Sequence, residues 1–342
     1  MIKTLPFKTS IPSTWVSNSH LFAILQTREE GLDWLVANFI QLRYADDAGP
    51  PFLPHLNYLP IEGTCKLLTI KVFGRNIVDH FLLPVIGFLK FCIDNGSYIS
   101  ININQQYIRG YNQRFDHTLL VYGYDDYEQF LYVADHFDYG AYAGKTAKFE
   151  DFEKGYNEGQ KNMWFKTMEF HDALYDNGEF IYKGNDKLVE SYKTTMLNYL
   201  KDYCGCTSLH DMYEQPLPEP EKSFLYGFDC YDAVIRYLKL LLEEKTSTDR
   251  RIFTQLRDHK YMMPLRAEMI GKYKFCKDPE VLGWLKEKSR EAHNLSEVML
   301  CKFIKYEITK NKSIVESMVG DVVALRDLER IIIEKTIQIL SN

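Results

Sequence analysis

The sequence predicts an α+β protein, with a mixed N-terminal part over residues 1–175 and an α-helical C-terminal region over residues 176–342. Up to Phe170, short runs rich in β-branched and aromatic residues alternate with helical spacings. Beyond His171 the spacing turns almost wholly helical, past a proline-rich, acidic break at Gln215–Glu221. Of the 342 residues, 46% are hydrophobic, which supports a sizeable core and argues against global disorder.

Residues 1–26 read as irregular, with Pro6, Pro12 and a small apolar run from His20 to Leu25. Thr27 and Glu30 then form a T-x-x-E capping box. Leu32, Leu35, Val36, Phe39, Ile40 and Leu42 follow at helical spacing, so a helix is expected from Thr27 to near Tyr44. Asp46–Pro54 is a loop by composition. Cys65–Phe73 reads as a strand, Asn76–Asn95 as an apolar helix stopped at Asn95-Gly96, and Ser97–Ile103 as an alternating strand. His117–Tyr124 and Gln129–Ala134 flank the acidic turn Gly123–Asp126, which predicts a β-hairpin. A short helix at Phe149–Glu158 and a strand at Asn162–Phe170 complete the first part. A turn at Asp176–Gly178 precedes a helix at Asn185–Tyr203, and further helices are expected at Phe228–Glu244, Arg250–Lys272, Pro279–Ile308 and Lys312–Leu340.

The net charge is −6 with no basic block, which gives no footing for a nucleic-acid partner. The seven cysteines are odd in number and irregularly spaced, the pattern of reduced thiols in a cytoplasmic protein. The first residues carry no apolar signal segment, and the run Phe81–Ile93, broken by Pro84, Gly87 and Lys90, is too short to span a bilayer. No P-loop or G-x-G-x-x-G motif supports nucleotide binding, Gly74-Arg75-Asn76 notwithstanding.

The hairpin carries the chemistry. His117 begins its first strand and Asp135 ends its second, so antiparallel pairing brings the two side by side. A carboxylate beside an imidazole fixes the ring's tautomer and raises its basicity, as a general base requires. A helix followed by strands, then His on one strand and Asp on the next, is the chain order of a papain-like cysteine-protease fold. In that fold the nucleophile stands at the N-terminus of the first core helix, where the macrodipole and unpaired N–H groups stabilise a thiolate and an oxyanion.

The segment HTLLVYGYDDYEQFLYVAD resembles the His-to-Asp block of bacteriocin-processing cysteine peptidases, and more closely that of the butirosin-type acyltransferases of natural-product pathways. HLFAILQTREEGLDWLVANFIQLRY resembles the nucleophile helix of that second group. The resemblance covers roughly residues 15–170 at motif level, and the C-terminal half matches only in being helical. It implies His117 as general base, Asp135 as its orienting carboxylate, and a nucleophile at position 27, where the family uses cysteine and this chain has Thr27. A β-branched hydroxyl is a far weaker nucleophile than a thiolate. Three readings of Thr27 stand: a catalytically silent relative, a substituted nucleophile, or a threonine acting itself. Asn18 and His20, shortly upstream, are the candidates for completing an oxyanion hole.

The implied reaction moves an acyl group from the phosphopantetheine thioester of an acyl or peptidyl carrier protein to a small amine. It needs no ATP and no cofactor of the chain's own. The rivals are a peptidase relative that cuts a peptide and an inactive homologue that only binds.

Each residue also has a plain structural role available. Thr27 serves as an N-cap with Glu30, and His117–Asp135 could be a surface cross-strand pair worth under about 1 kcal/mol. Cys65 opens an expected strand rather than a helix, which argues against it as the nucleophile. Cys204, Cys206 and His210 lack a second ligand pair at zinc spacing, so no metal is expected. His136 lies on the wrong side of the hairpin to be the base, and the tyrosines of Tyr107–Tyr111 are edge packing or a groove lining. The apolar stripe Ile331, Ile332, Ile333, Ile337 and Leu340 suggests packing against the core or a second copy of the chain.

Overall fold

The computed structural model describes residues 1–9, 11, 13–46, 55–58, 62–80, 84–137, 140–160, 163–171, 174–176, 179–181, 186–207 and 223–342. The expected loop after Asp46, the turn after Asp176, the Gln215–Glu221 break and His210 lie outside these residues. The described residues form a mixed helix and antiparallel-sheet protein with a helical C-terminal region.

The chain opens with β1 (Ile2–Thr4), α1 (Val16–Leu25), α2 (Glu29–Asn38), β2 (Leu42–Asp46) and β3 (His55–Tyr58). Next come β4 (Leu68–Gly74), α3 (Arg75–His80), α4 (Val85–Asp94), β5 (Tyr98–Asn104) and α5 (Gln106–Arg109). The hairpin strands β6 (Asp116–Asp125) and β7 (Phe130–His136) follow, then β8 (Tyr142–Lys148), α6 (Phe149–Asn157) and β9 (Trp164–Phe170). The remainder is β10 (Leu174–Asp176), β11 (Glu179–Ile181), α7 (Asp186–Gly205), β12 (Ser223–Tyr226), α8 (Asp229–Leu242), α9 (Arg251–Lys272), α10 (Pro279–Thr309) and α11 (Lys312–Ser341).

Contacts divide the chain into two compact units, Met1–Leu32 with Glu62–Lys183, and Asp33–Ile61 with Gly184–Asn342. A single division at residue 175 differs from these units by the excursion of residues 33–61. That excursion has a cause: β2 pairs with β12 on one side and β3 on the other, a three-stranded sheet closed by residues far apart in sequence.

The first unit is built on a sheet of order β4-β9-β5-β6-β7-β8, with β1 added beside β6. Strand alternation sends Ile99, Ile101, Ile103, Leu119, Val121, Leu131 and Val133 into one core with α4 and α6. Helix α1 packs by β6 and β7, and its His20 reaches Ser100, which alternates with Ile99 and Ile101. Seven successive residues of α1, Ser19–Leu25, are buried, so it has no polar face and no amphipathic signal. That is why a segment expected to be irregular is a helix.

The helix expected at Thr27–Tyr44 is α2, which starts two residues later and ends at Asn38. Residues 42–46 leave it to pair as β2. The apolar helix expected over 76–95 is divided into α3 and α4, with Pro84 as the N-cap residue of α4. The hairpin turn falls at 126–129 rather than at Gly123–Asp126. Asp125 Oδ1 accepts from Tyr127 N (2.8 Å) and Glu128 N (3.1 Å), an Asx turn, while Gly123 stays in β6 at a register shift.

In the second unit, Asp278 caps α10 by accepting from Glu280 N at 2.9 Å, with Pro279 in the first turn. Lys310 takes a left-handed conformation (φ 55°) and Asn311 caps α11, so the two longest helices are joined by a minimal turn. The unit's interior holds a buried polar cluster. Lys260 Nζ donates to Glu329 Oε1 (2.5 Å) and to His259 Nδ1 (2.9 Å). The hydroxyls of Tyr231 (2.6 Å) and Tyr203 (3.1 Å) donate to Glu329 Oε2. His259 Nε2 donates to Ile40 O (2.7 Å), and burial pushes the His259 imidazole well below its ordinary value, so the ring is neutral.

Candidate active site

The site is made where the hairpin ladder stops. β5 and β6 stay paired through Ile103–His117 and Asn104–Asp116, but β6 and β7 pair only as far as Leu120–Ala134. The two hairpin strands therefore part at the end that carries His117 and Asp135. Carbonyls freed by the parting need donors. Gln105 Nε2 donates to His117 O (3.2 Å), and Arg109 NH1 donates to His136 O (3.0 Å). Both donors come from the single turn of α5, where Arg109 Nε also donates to Gln105 Oε1 (2.7 Å). That turn is held close to the sheet by α6. A Cβ on Gly155 would stand 2.2 Å from Asn104 O, so only glycine admits this approach.

The same donors converge on Asp135, which is fully buried. Its Oδ2 accepts from His117 Nδ1 (2.8 Å), Gln105 Nε2 (2.8 Å) and Arg109 NH2 (2.6 Å), and its Oδ1 accepts from His136 N (2.7 Å). Burial alone would raise this carboxyl. The hydrogen bonds from His117 and His136 outweigh that and hold it well below the usual carboxylate range, so Asp135 is ionised. An ionised carboxylate only accepts, so His117 carries its proton on Nδ1 and keeps Nε2 as the basic nitrogen. The His117 side chain is 34% exposed. Phe115 stacks on the imidazole (centroids 5.4 Å apart, 23° between planes), and Arg109 lies over the rings of Phe115 and Phe137.

The structure brings His117 and Asp135 together but sets Thr27 elsewhere. Thr27 lies in the turn between α1 and α2, and its hydroxyl donates to Ile24 O (2.6 Å). It also neighbours the Tyr98 hydroxyl. Tyr98 begins β5, whereas His117 pairs with Ile103, so the Tyr98 backbone and the partner of His117 lie roughly 16 Å apart along β5. The expectation for position 27 rested on α2 being the first core helix, and α1 takes that place. The N-terminal end of α1 is tied to the site by His136, whose Nε2 bonds to Ser13 O.

Asn18 is half-buried in the first turn of α1. His20 is 2% exposed, hydrogen-bonds Ser100 Oγ through Nδ1 (3.0 Å), and is pushed by burial down to about 3, so it is neutral. Cys65 is buried before β4, and burial pushes its thiol up to about 12, which removes it as a nucleophile. Among the described residues no group of three or more His, Cys, Asp or Glu side chains could hold a metal ion.

No protein-family model matches the chain, and no curated protein matches it. No described helix is long and apolar enough to cross a membrane. The arrangement is an imidazole with a fixed tautomer, a buried anion behind it and an aromatic ring stacked on it. Gln105 and Arg109 went unrecognised in the sequence. The one available signal was their spacing of four just before the hairpin, which marks two side chains on one helical face.

Proposed function

We propose that the chain is an acyl-transfer enzyme with a papain-like first unit. In this reading it moves an acyl group from a carrier protein's phosphopantetheine thioester to a small amine. The observation that carries it is the 2.8 Å hydrogen bond from His117 Nδ1 to a buried, ionised Asp135, which leaves Nε2 to act as the base. Thr27 is assigned no covalent role, because its hydroxyl is given to Ile24 O beside the far end of β5. The amine attacks the thioester carbonyl directly. A C–N bond forms and the C–S bond breaks, while His117 takes the proton from the amine and returns it to the departing thiolate. The thioester is already activated, so no ATP enters.

The test is an assay of amide formation from an acyl carrier-protein thioester and an amine, read by mass spectrometry with the wild-type chain and His117→Ala. The expected result is product whose rate falls about 10²–10⁴-fold in the variant, with no acyl adduct on the protein. Equal rates in the two proteins would refute the role of His117. The placement of Thr27 favours a second reading, a cleft that binds an acyl or peptide chain without turnover. Tight binding with no product from any thioester or peptide would establish that one.

A further inference from the structure

In the described part of the first unit three buried side-chain atoms lack a hydrogen-bond partner; Asp126 Oδ1 is ion-paired with Lys90, and the other two belong to neighbouring rings. His20 Nε2 and Tyr142 Oη both lack a hydrogen-bond partner. His20 is 2% and Tyr142 4% exposed, and their ring centroids are 5.8 Å apart. Leaving a buried donor or acceptor unpaired costs about 1–3 kcal/mol, so two such atoms on neighbouring rings call for a ligand that serves both. We propose that a water molecule is bound inside this unit, between His20 Nε2 and Tyr142 Oη and behind the Asp135 carboxylate.

The chemistry of the surroundings selects water. Both side chains are almost wholly buried, which favours a ligand as small as water. The walls are polar where the two atoms stand, and a polar buried site is the kind that holds water rather than remaining empty. A buried water makes about three hydrogen bonds. His20 and Tyr142 supply two. The charge of Asp135 is felt by both rings. Asp135 Oδ1 accepts from His136 N (2.7 Å), with His136 Nδ1 at 3.6 Å. The water extends a chain from Ser100 Oγ through His20 to Tyr142, and it joins α1 to β8.

The water site stands whether or not the chain transfers acyl groups, because its test reads no activity. The experiment is a high-resolution crystal structure of the full chain, with matching structures of Tyr142→Phe and His20→Gln. The expected result is an ordered water about 2.6–3.2 Å from both His20 Nε2 and Tyr142 Oη in the wild-type protein. It should persist in His20→Gln, whose amide keeps a polar end, and be lost in Tyr142→Phe. Amide exchange over Ser19–Leu25 should quicken about tenfold or more in Tyr142→Phe and less in His20→Gln. An empty site, or His20 Nε2 and Tyr142 Oη bonded directly to each other, overturns the proposal. If Tyr142→Phe does not fold, the wild-type and His20→Gln structures decide it alone.

Discussion

Replacing His20 by glutamine should flatten the response of the protein's stability to acid. In the fold, burial pushes the His20 imidazole down to about 3, against about 6.5 in an unfolded chain. A group that binds its proton more weakly when folded makes acid favour unfolding. The contribution is complete above pH 6.5 and is lost progressively as the pH falls toward 3. Between pH 7 and pH 4.5 the loss comes to about 2.5 kcal/mol, since each unit of difference is worth about 1.36 kcal/mol. Glutamine does not titrate and can keep the bond to Ser100. The assay is urea unfolding of both proteins at several pH values across that window. All other titrating groups are common to the two, so the difference between the curves isolates His20. The expected result is a wild-type protein that loses about 2.5 kcal/mol more than His20→Gln on acidification. Parallel curves would refute the claim that His20 is neutral and enclosed.

Asp135→Asn should destabilise the protein by about 3–5 kcal/mol in urea unfolding, because Arg109, whose side chain is 5% exposed, loses its counter-charge. The native carboxylate's own contribution should be present above about pH 4 and fail as the pH falls further, since its folded value lies below the unfolded one. Glu329→Gln should cost about 3–5 kcal/mol by stranding Lys260, while the double change Lys260→Met with Glu329→Leu should cost less, by the same unfolding assay. Gly155→Ala should lower the thermal midpoint by an amount matching about 1–3 kcal/mol, because its Cβ would stand 2.2 Å from the carbonyl of Asn104. Asp278→Ala should cost about 1 kcal/mol, seen as faster amide exchange in the first turn of α10.

Much of the secondary structure was legible because it is local. The alternation of Leu119, Val121, Leu131 and Val133 marks a half-buried hairpin, and Asp278-Pro279 and Asn311 mark where the long helices begin. Helix α1 was hidden because burial on all sides erases the periodicity by which a helix is recognised. β2 was hidden because its apolar residues continue the pattern of α2, and its partner β12 lies far along the chain. The closeness of His117 and Asp135 was expected from the hairpin, although the β6–β7 ladder stops at Leu120–Ala134 and does not itself pair them. Gln105 and Arg109 were not expected, since their role exists only because the β6–β7 ladder ends early. Thr27 carries a motif that describes a helix start accurately to within two residues. Its supposed partnership with His117 depended on which helix comes first, and that is a tertiary fact.

The excursion of residues 33–61 into the second unit bears on how the protein is made. As the chain leaves the ribosome, β2 emerges about 180 residues before β12, so at 5–20 residues per second it waits roughly ten to forty seconds for its neighbour. Lys260 waits in turn for Glu329 near the C-terminus. Tyr44 and Leu56 pair across β2 and β3 and are buried in the finished protein, so they spend that interval without their cover. The nascent chain should be most prone to aggregate, and most dependent on chaperones, after β3 has emerged and before α11 is complete.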